Sequence, residues 1–410
     1  MIRLPAFPPL VWVVLAGTLL TRSAFFMVWP FLAILLDREF ALPPSQIGFI
    51  LGGAFLASAG AGFHAGNLSD RFGRRALMVS GCAGETAALV VLALADSVAA
   101  YAFGAFLVGL ARAVLEAPGK ALIADHVADR ETRELAHHAR YFLINVGGAV
   151  GPLVGLGLGL SARQAAFWLA ALVYGAFTLV LVRAFRRAPD VMHAEAREHA
   201  TVRAAVRVLR RDHRFLLLLV AIFLSMVAYA QQETTVVQYL NLASGGGAVR
   251  LVTALLVTNA VTIVLFQFPM LHLLRRHDLY VRTYMGVALF VVAFAAYALL
   301  PVAALGGWIA ATWVLSLGEA ILFPTLNVQI DRLAPDGLKG SYFGAAGLAS
   351  LGFGVGPAVG GVLLGWLGGP AAFIGMVATV CAGAACYWAS SRVTGLPSAV
   401  GRVIERPEVP

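Results

Sequence analysis

Five of the most deeply placed charges in the long apolar stretches of this 410-residue sequence are Arg22, Arg112, Glu116, Glu233 and Glu319. A charge at the centre of a bilayer costs about 2.5 to 3.5 kcal/mol on insertion scales, so such a residue usually faces a cavity and has a partner. A carboxylate there can exchange a proton or bind a cation, whereas an arginine can pair with it or bind an anion. These five residues are the first candidates for a proton or ligand site.

Three charges in the fourth apolar stretch are spaced by about one helical turn. Arg112, Glu116 and Lys120 follow one another at intervals of four residues, which places them along roughly one face of a helix. One interpretation is a structural ladder of ions. The other is that Glu116 exchanges a proton, because a neighbouring cation favours its ionised form while burial favours its neutral form.

The other two carboxylates have different neighbours. Glu233 follows Gln231 and Gln232, so we interpret it either as a ligand contact or as a structural residue near the outer mouth of a cavity. Glu319 has no cation one turn away in the sequence. This isolation makes Glu319 a second candidate for binding a proton or a cation.

The elements that position these residues are predicted to be transmembrane helices. Hydrophobic residues make up 60% of the chain and charged residues only 12%, whereas a soluble domain carries about 25% charged residues. The apolar runs reach the length of about 20 residues that a helix needs to cross a bilayer. We predict an all-α membrane protein whose twelve spans lie at residues 9–36, 46–66, 75–95, 100–123, 140–160, 164–185, 214–240, 250–273, 281–301, 303–327, 341–363 and 370–391.

The distribution of lysine and arginine predicts the orientation. Alternate loops hold only Arg38, Arg163 and Arg250, while most other cations fall in the loops on the opposite side. Positively charged loops stay in the cytoplasm, so both termini are expected to be cytoplasmic. The net charge of +9 therefore needs no nucleic-acid partner, since the basic residues are not gathered on a soluble face.

The chain divides into two similar halves. Residues 1–185 and 214–391 each contain six predicted helices, joined by a polar cytoplasmic linker at 186–213 and followed by a cytoplasmic tail at 392–410. Four residues of helix 5 recur in helix 11 at a single offset of 205, which indicates a duplicated unit of the kind found in transporters. They are Gly147, Gly151, Pro152 and Gly155 in the first half and Gly352, Gly356, Pro357 and Gly360 in the second.

The loop between helices 2 and 3 carries a recognisable motif. It reads GNLSDRFGRR, and it resembles the loop signature of the major facilitator superfamily, with a glycine, an aspartate four residues later and a glycine before two basic residues. The residues that carry this resemblance are Gly66, Asp70, Arg71, Gly73, Arg74 and Arg75.

The resemblance implies a fold of two six-helix bundles in which helices 1, 4, 7 and 10 line a central cavity. It also implies a gate on the cytoplasmic side. Asp70 is expected to face the N-terminus of helix 11, near Ser341, and Arg74 to pair with Asp125 at the end of helix 4. These contacts would latch the outward-facing state.

Two further patterns bear on the coupling ion. The helix 5 run GGAVGPLVG resembles the Gly-Pro signature that this superfamily associates with antiporters, although the same pattern could simply serve tight helix packing, since helix 11 repeats it. Arg112 resembles the helix 4 arginine of a proton-coupled signature. The glutamine and glycine that usually follow that arginine are not clearly present.

The function implied by the resemblance is secondary active transport of the drug:proton antiporter type. The expected substrate is a hydrophobic or cationic small molecule, exported by rocker-switch alternating access with the proton gradient as energy source and with neither cofactor nor metal. The expected setting is the inner membrane of a bacterium, where the protein contacts lipid and acts as a monomer.

Other functions stay open. One is a proton symporter or facilitator for a small nutrient or for an organic anion, since Arg22 and Arg112 suit an anion. A membrane-embedded enzyme is disfavoured because the sequence contains no HExxH, no GxSxG in a strand-to-helix context and no Walker-type loop. A receptor is disfavoured because no substantial soluble domain is predicted.

Overall fold

The computed structural model describes residues 7–187, 212–244, 247–334 and 339–393, and all regular structure within these ranges is helical. The predicted linker at 186–213 and tail at 392–410 lie almost entirely outside the described residues. The described residues therefore cover the predicted helical regions.

The described residues of the first half form seven helices, joined in one place by a short 3-10 turn at Trp29–Phe31. They are α1 (Pro9–Val28), α2 (Leu32–Phe40), α3 (Pro44–Phe72), α4 (Arg74–Leu94), α5 (Val98–His126), α6 (Arg130–Gly157) and α7 (Ala165–Arg187). The described residues of the second half form seven more helices, with a 3-10 turn at Ala230–Glu233 between the first two. They are α8 (His213–Tyr229), α9 (Thr235–Ser244), α10 (Ala248–Leu274), α11 (Leu279–Leu299), α12 (Leu305–Leu333), α13 (Lys339–Ala349) and α14 (Leu351–Arg392).

Eleven helical segments among the described residues are long and apolar enough to cross a membrane, which confirms the predicted all-α membrane class. The prediction of twelve differs from this number because the last segment, Ala345–Arg392, is 48 residues long. Within it, α14 has 42 residues, or about 63 Å of helix, roughly twice the thickness of a bilayer core. Gly368 interrupts the helical backbone with φ 77° and ψ 173°, at the predicted break between residues 363 and 370.

The start of α6 corrects another prediction. This helix begins at Arg130 rather than at residue 140, and the side chain of Asp129 caps it by accepting a hydrogen bond of 2.8 Å from the Thr132 amide. Its first turns are polar because charged, threonine and histidine side chains fill them. Arg140, which the sequence assigned to the cytoplasmic edge, therefore lies about 15 Å inside the helix, and it is buried.

Helices within each half pack mainly on one another. In the first half α1 packs on α6 and α7, and α5 packs on α3 and α4; in the second half α8 packs on α14, and α12 packs on α10 and α11. The principal contacts between the halves join α3 to α14 and α6 to α10. The space between these two seams holds the larger cavity described below.

The repeated glycines occupy equivalent positions in the two halves. A Cβ atom on Gly151 would lie 2.3 Å from the Ser23 carbonyl oxygen of α1, and one on Gly356, its repeat partner, would lie 2.8 Å from the Val227 carbonyl oxygen of α8. Both stripes therefore bring a helix against the first helix of its own half. This arrangement agrees with the duplication and with the packing interpretation of the Gly-Pro pattern, while its association with antiport stays a prediction.

Gly151→Ala is expected to destabilise the protein by about 1 to 3 kcal/mol, because the added methyl group overpacks the contact between α6 and α1. Gly157→Ala, on the same helix, is the matched control, since nothing lies within 4 Å of a Cβ at that position. Thermal unfolding of the purified protein, followed by tryptophan fluorescence, measures both effects. Equal unfolding midpoints for the two variants would contradict the packing role of Gly151.

Candidate functional site

The loop signature between α3 and α4 forms a tight turn. Gly73 separates the two helices with φ 87°, a conformation that glycine adopts without the steric cost that a side chain would add. Arg74 then donates from Nε to Asp125 Oδ2 of α5 at 2.8 Å, and it also donates to the hydroxyl of Ser69. The ion pair that the family resemblance implied between Arg74 and Asp125 is thus present in the structure.

The remaining residues of the predicted gate are either exposed or outside the described part of the structure. Arg71 and Arg75 are exposed at the ends of α3 and α4. The side chains of Asp70 and Ser341 and the contacts of Gly66 lie outside the described part of the structure. The expected contact of Asp70 with the N-terminus of helix 11 therefore stays a prediction.

A cluster of four charged residues forms where α1, α5 and α6 meet. Glu116 accepts a hydrogen bond from Arg22 of α1, and its Oε1 lies 3.1 Å from Arg112 Nε. Its second oxygen, Oε2, lies 3.6 Å from Arg140 Nη2 of α6. One carboxylate is therefore surrounded by three guanidinium groups, and we call these four residues the arginine cluster.

The arginine cluster corrects the predicted ladder along α5. Arg112 and Glu116 do interact, but Lys120 is exposed, and the additional cations come from Arg22 and Arg140 on other helices. Sequence reasoning missed Arg140 because it placed the start of α6 too late. The signal was available in Asp129, a favoured N-cap residue eleven positions upstream of Arg140.

Aromatic rings and a small cavity border the arginine cluster. The Arg112 guanidinium lies 4.0 Å from the centroid of the Phe25 ring, a cation–π contact, and Phe25 stacks on Trp29 at 5.3 Å. The cavity beside the cluster has a volume of about 40 Å³. It can hold a few atoms, so the cluster is an internal ion network rather than a site for an organic molecule.

A larger cavity lies between the two halves, with a volume of about 130 Å³. Side chains from α1, α6, α8, α10, α12 and the 3-10 turn before α9 form its wall. Its polar and aromatic lining residues are Phe26, Tyr141, Asn145, Tyr229, Gln232, Glu233, Asn259 and Glu319. The cavity contains two carboxylates, and among its described lining residues there is no arginine or lysine.

Glu319 is held in this cavity by uncharged donors. The Tyr229 hydroxyl donates to Glu319 Oε1 at 2.8 Å, and Asn259 Nδ2 donates to Oε2 at 2.7 Å. Asn259 is itself 3.0 Å from the Ser316 hydroxyl. The Glu319 side chain is only 5% exposed, so it is a nearly enclosed carboxyl group without a paired cation among the described ion pairs.

Aromatic rings surround the Tyr229 side of the cavity. The Tyr229 ring contacts Phe323 edge-on at 4.9 Å and lies 5.8 Å from Phe353. Phe353 in turn meets Phe55 of α3 at 4.7 Å, so the aromatic group crosses the seam between the halves. A site that combines carboxylates with aromatic rings can bind a cation with apolar substituents.

The five predicted charges thus separate into two places. Arg22, Arg112 and Glu116 meet in the arginine cluster, whereas Glu233 and Glu319 line the cavity between the halves. Tyr229 and Asn259 complete the surroundings of Glu319, and neither was predicted as a site residue, because the packing of α8 and α10 on α12 brings them there.

Comparisons with known proteins agree with this architecture. The sequence model described as Major Facilitator Superfamily matches residues 14–350. The chain is similar to the uncharacterised MFS-type transporter YqjV of Bacillus subtilis (strain 168), with 31% identity over 358 residues that cover 87% of this chain and 86% of YqjV. It is also similar to the multidrug resistance protein MdtH of Shigella boydii serotype 4 (strain Sb227), with 24% identity over 361 residues, 86% of this chain and 85% of MdtH.

Solved structures with the same fold include a crystal structure of the nucleoside transporter NupG. Its TM-score with this chain is 0.81, and the alignment covers 93% of this chain and 99% of NupG. The sequence identity is 13%, so the likeness concerns the fold alone.

Proposed function

The chain belongs to the major facilitator superfamily, and from that premise we propose that it is a proton-coupled antiporter that exports lipophilic cations. The single observation that carries this proposal is the cavity between the halves, where Glu233 and Glu319 lie among aromatic rings. Arg22, Arg112 and Arg140 gather instead around Glu116, and none of the three lines that cavity. The field inside the cavity therefore favours a cation.

The substrate class follows from the lining. A cation with flat apolar groups gains cation–π contacts with Tyr229 and Phe26 and charge neutralisation from the carboxylates. The volume of about 130 Å³ is below the roughly 300 to 1,000 Å³ of most ligand pockets. The cavity must widen before such a molecule binds, as alternating access provides.

Competition for Glu319 supplies a mechanism for coupling. A carboxyl group that has uncharged donors as partners is neutralised either by a proton or by a bound cation. If the cation arrives from the cytoplasm and the proton from outside, each displaces the other, and the two move in opposite directions. Similarity to MdtH, described as a multidrug resistance protein, supports export of this class of molecule.

We further propose twelve spans in two six-helix halves, with α14 crossing the membrane twice on either side of Gly368. Both termini then lie in the cytoplasm, and the protein resides as a monomer in the inner membrane of a bacterium. The length of α14, the positive φ of Gly368 and the basic loops support this arrangement. The proton gradient is the energy source, without a cofactor.

With this topology, contacts between the halves close the outer end of the cavity. Asn241 Nδ2 of α9 donates to Asp37 Oδ2 of α2 at 2.7 Å. Close by, a Cβ on Gly361 of α14 would lie 2.3 Å from the Pro44 carbonyl oxygen of α3. We assign this conformation to a state that is closed to the outside, with the Asn241–Asp37 hydrogen bond as its outer latch. Because the Arg74–Asp125 ion pair is present in the same conformation, that pair is not restricted to the outward-facing state, as the family resemblance had implied.

Asn241→Asp is expected to shift the protein toward the outward-open state, because a second carboxylate replaces the donor and repels Asp37. Spin labels at the exposed positions Arg38 and Leu242 report this opening as a longer distance by electron paramagnetic resonance. Glu39→Gln, which removes an exposed carboxylate of α2 two residues from Asp37, is the control and leaves the distance unchanged. An unchanged distance between the labels in Asn241→Asp would contradict the proposal that the Asn241–Asp37 hydrogen bond holds the outer side closed.

A second candidate function is uptake of an organic anion, either with protons or by facilitated diffusion. The observation that favours it is the arginine cluster, in which three guanidinium groups share one carboxylate. The cluster would have to open toward the cavity to admit the anion. This candidate requires a much larger rearrangement than the first, because the adjoining cavity is only about 40 Å³.

The experiment that tests the proposed substrate class is a flux assay in proteoliposomes with an acidic interior. Three probes are compared: the lipophilic cation ethidium, an uncharged drug and an organic anion. We expect ethidium to accumulate inside and the anion to be excluded. Accumulation of the anion alone would overturn the proposal in favour of the second candidate.

A further inference from the structure

Glu85 lies near the middle of the 21-residue helix α4 and takes no part in the cavity described above. Its side chain is enclosed, with the residue only 1% exposed. Both carboxyl oxygens are inaccessible to solvent and have no hydrogen-bond partner in the described structure. A carboxyl group that is buried in this way in a membrane helix requires a chemical explanation.

The surroundings of Glu85 include four ionisable groups. Arg112 of α5 and Arg22 of α1 are near enough for their positive charges to act on the Glu85 carboxyl group, and Tyr174 of α7 lies beside it. On α4 itself, the Cys82 thiol lies one turn earlier and donates to the Tyr174 carbonyl oxygen at 3.3 Å. The phenol of Tyr174 does not complete a hydrogen bond with Glu85, since both Glu85 oxygens lack a partner.

The same arginines belong to the arginine cluster. Arg22 and Arg112 both contact Oε1 of Glu116, so the cluster has three guanidinium groups for one bound carboxylate. A second carboxylate would improve this balance of charge. Glu85 is close enough to Arg112 and Arg22 to provide it, although it makes no ion pair in the observed conformation. Glu233, another carboxyl group near these arginines, belongs to the cavity between the halves.

We propose that Glu85 is a second proton-binding site of the transport cycle, protonated in this conformation and ionised when an arginine of the cluster turns toward it. The inference rests on the proposed function for its link to transport. In the step, the O–H bond of the Glu85 carboxyl group breaks and its electron pair stays on the carboxylate. The proton passes to water in the small cavity beside the arginine cluster, whose lining includes Arg112 and Tyr174 but not Glu85 in this conformation, and Arg112 or Arg22 pairs with the new charge while keeping its own protons.

Burial without a partner favours the protonated form of Glu85 in this conformation. An ionised carboxylate without a hydrogen-bond donor or a contacting cation is strongly disfavoured in a dry site, whereas a neutral carboxyl group loses much less on burial. Rotation of one guanidinium group reverses this preference, because it supplies two donors and an opposite charge. The site thus binds or releases a proton according to the arrangement of α1, α4 and α5.

Infrared spectroscopy of the full-length protein in lipid vesicles tests the protonation state without any substrate. We expect the wild-type protein to show carboxylic C=O absorption near neutral pH, and Glu85→Gln to lose part of it. The matched control is Glu39→Gln, which removes an exposed carboxylate and leaves that absorption unchanged. Identical carboxylic absorption in wild type and Glu85→Gln would overturn the proposal, since it would mean that Glu85 is already ionised.

Transport assays then test the link to the cycle. Glu85→Gln is expected to bind ethidium and exchange it across the vesicle membrane, while its accumulation under a pH gradient falls to the level seen without a gradient. Normal gradient-driven accumulation would exclude Glu85 from coupling. If the wild-type protein moves no ethidium, the proposed function fails, and the infrared result still decides whether Glu85 binds a proton.

Folding is the control for both measurements. Glutamine has nearly the same shape as a neutral glutamic acid, so Glu85→Gln is expected to keep the thermal unfolding midpoint of the wild-type protein. Glu85→Asp keeps the carboxyl group on a shorter side chain and is expected to retain part of the coupled accumulation. A large loss of stability in Glu85→Gln would contradict a protonated Glu85.

Discussion

Glu116→Gln is expected to destabilise the folded protein by about 3 kcal/mol, the lower end of the cost of breaking a buried ion pair. The substitution leaves Arg22, Arg112 and Arg140 together without their shared carboxylate. The lower end applies because the Glu116 side chain is 26% exposed, so water partly replaces the lost contacts. Thermal unfolding in detergent, with Glu39→Gln as the exposed control, measures the effect.

A second variant tests whether charge balance is the cause. Adding Arg140→Gln to Glu116→Gln removes one uncompensated cation, so the double variant is expected to be more stable than Glu116→Gln alone. A different outcome would support the other interpretation of Glu116 that the sequence left open. If Glu116→Gln keeps wild-type stability but loses the pH dependence of transport, Glu116 is a proton carrier rather than a structural anion.

Glu319→Gln is expected to abolish the accumulation of ethidium under a pH gradient, while exchange of ethidium without a gradient continues. The amide cannot take up and release a proton, but its oxygen can still accept a hydrogen bond from Tyr229 or Asn259. The measurement is ethidium uptake into vesicles with an acidic interior, compared with uptake when the interior and exterior pH are equal.

Tyr229→Phe is the companion variant for Glu319. It keeps the aromatic ring at the cavity and removes only the hydroxyl that donates to Glu319. Coupled accumulation is expected to persist with a shifted pH dependence, because one donor to the carboxylate is lost. Full coupling in Glu319→Gln would show that the proton is carried elsewhere.

Much of the fold could be predicted from the sequence because apolar length and loop charge are local properties. The predicted start of α6 was wrong because the first turns of this helix are polar. A search for apolar residues therefore places the start of the helix too late. The interruption at Trp29–Phe31 lies inside a continuous apolar run, so hydrophobicity could not reveal it. The turn at Ala230–Glu233 contains Gln231, Gln232 and Glu233, but three polar residues inside a long apolar segment do not by themselves indicate a break in the helix.

The candidate site was harder to predict because it depends on contacts between distant segments. The pair of Arg112 and Glu116 follows from a spacing of four residues. The contacts of Glu116 with Arg22 and Arg140, and of Glu319 with Tyr229 and Asn259, depend on how helices pack. No local pattern in a single sequence specifies which buried charges meet, so the division into an arginine cluster and an acidic cavity required the structure.

The most direct test of the central claim is to follow ethidium and internal pH together in the same proteoliposomes. The vesicles contain the full-length protein and start with an acidic interior, and vesicles with Glu319→Gln serve as the control. Antiport predicts that ethidium enters while the interior becomes more alkaline, and that both changes disappear in the control. Ethidium entry accompanied by further acidification, or ethidium flux that ignores the pH gradient, would contradict antiport.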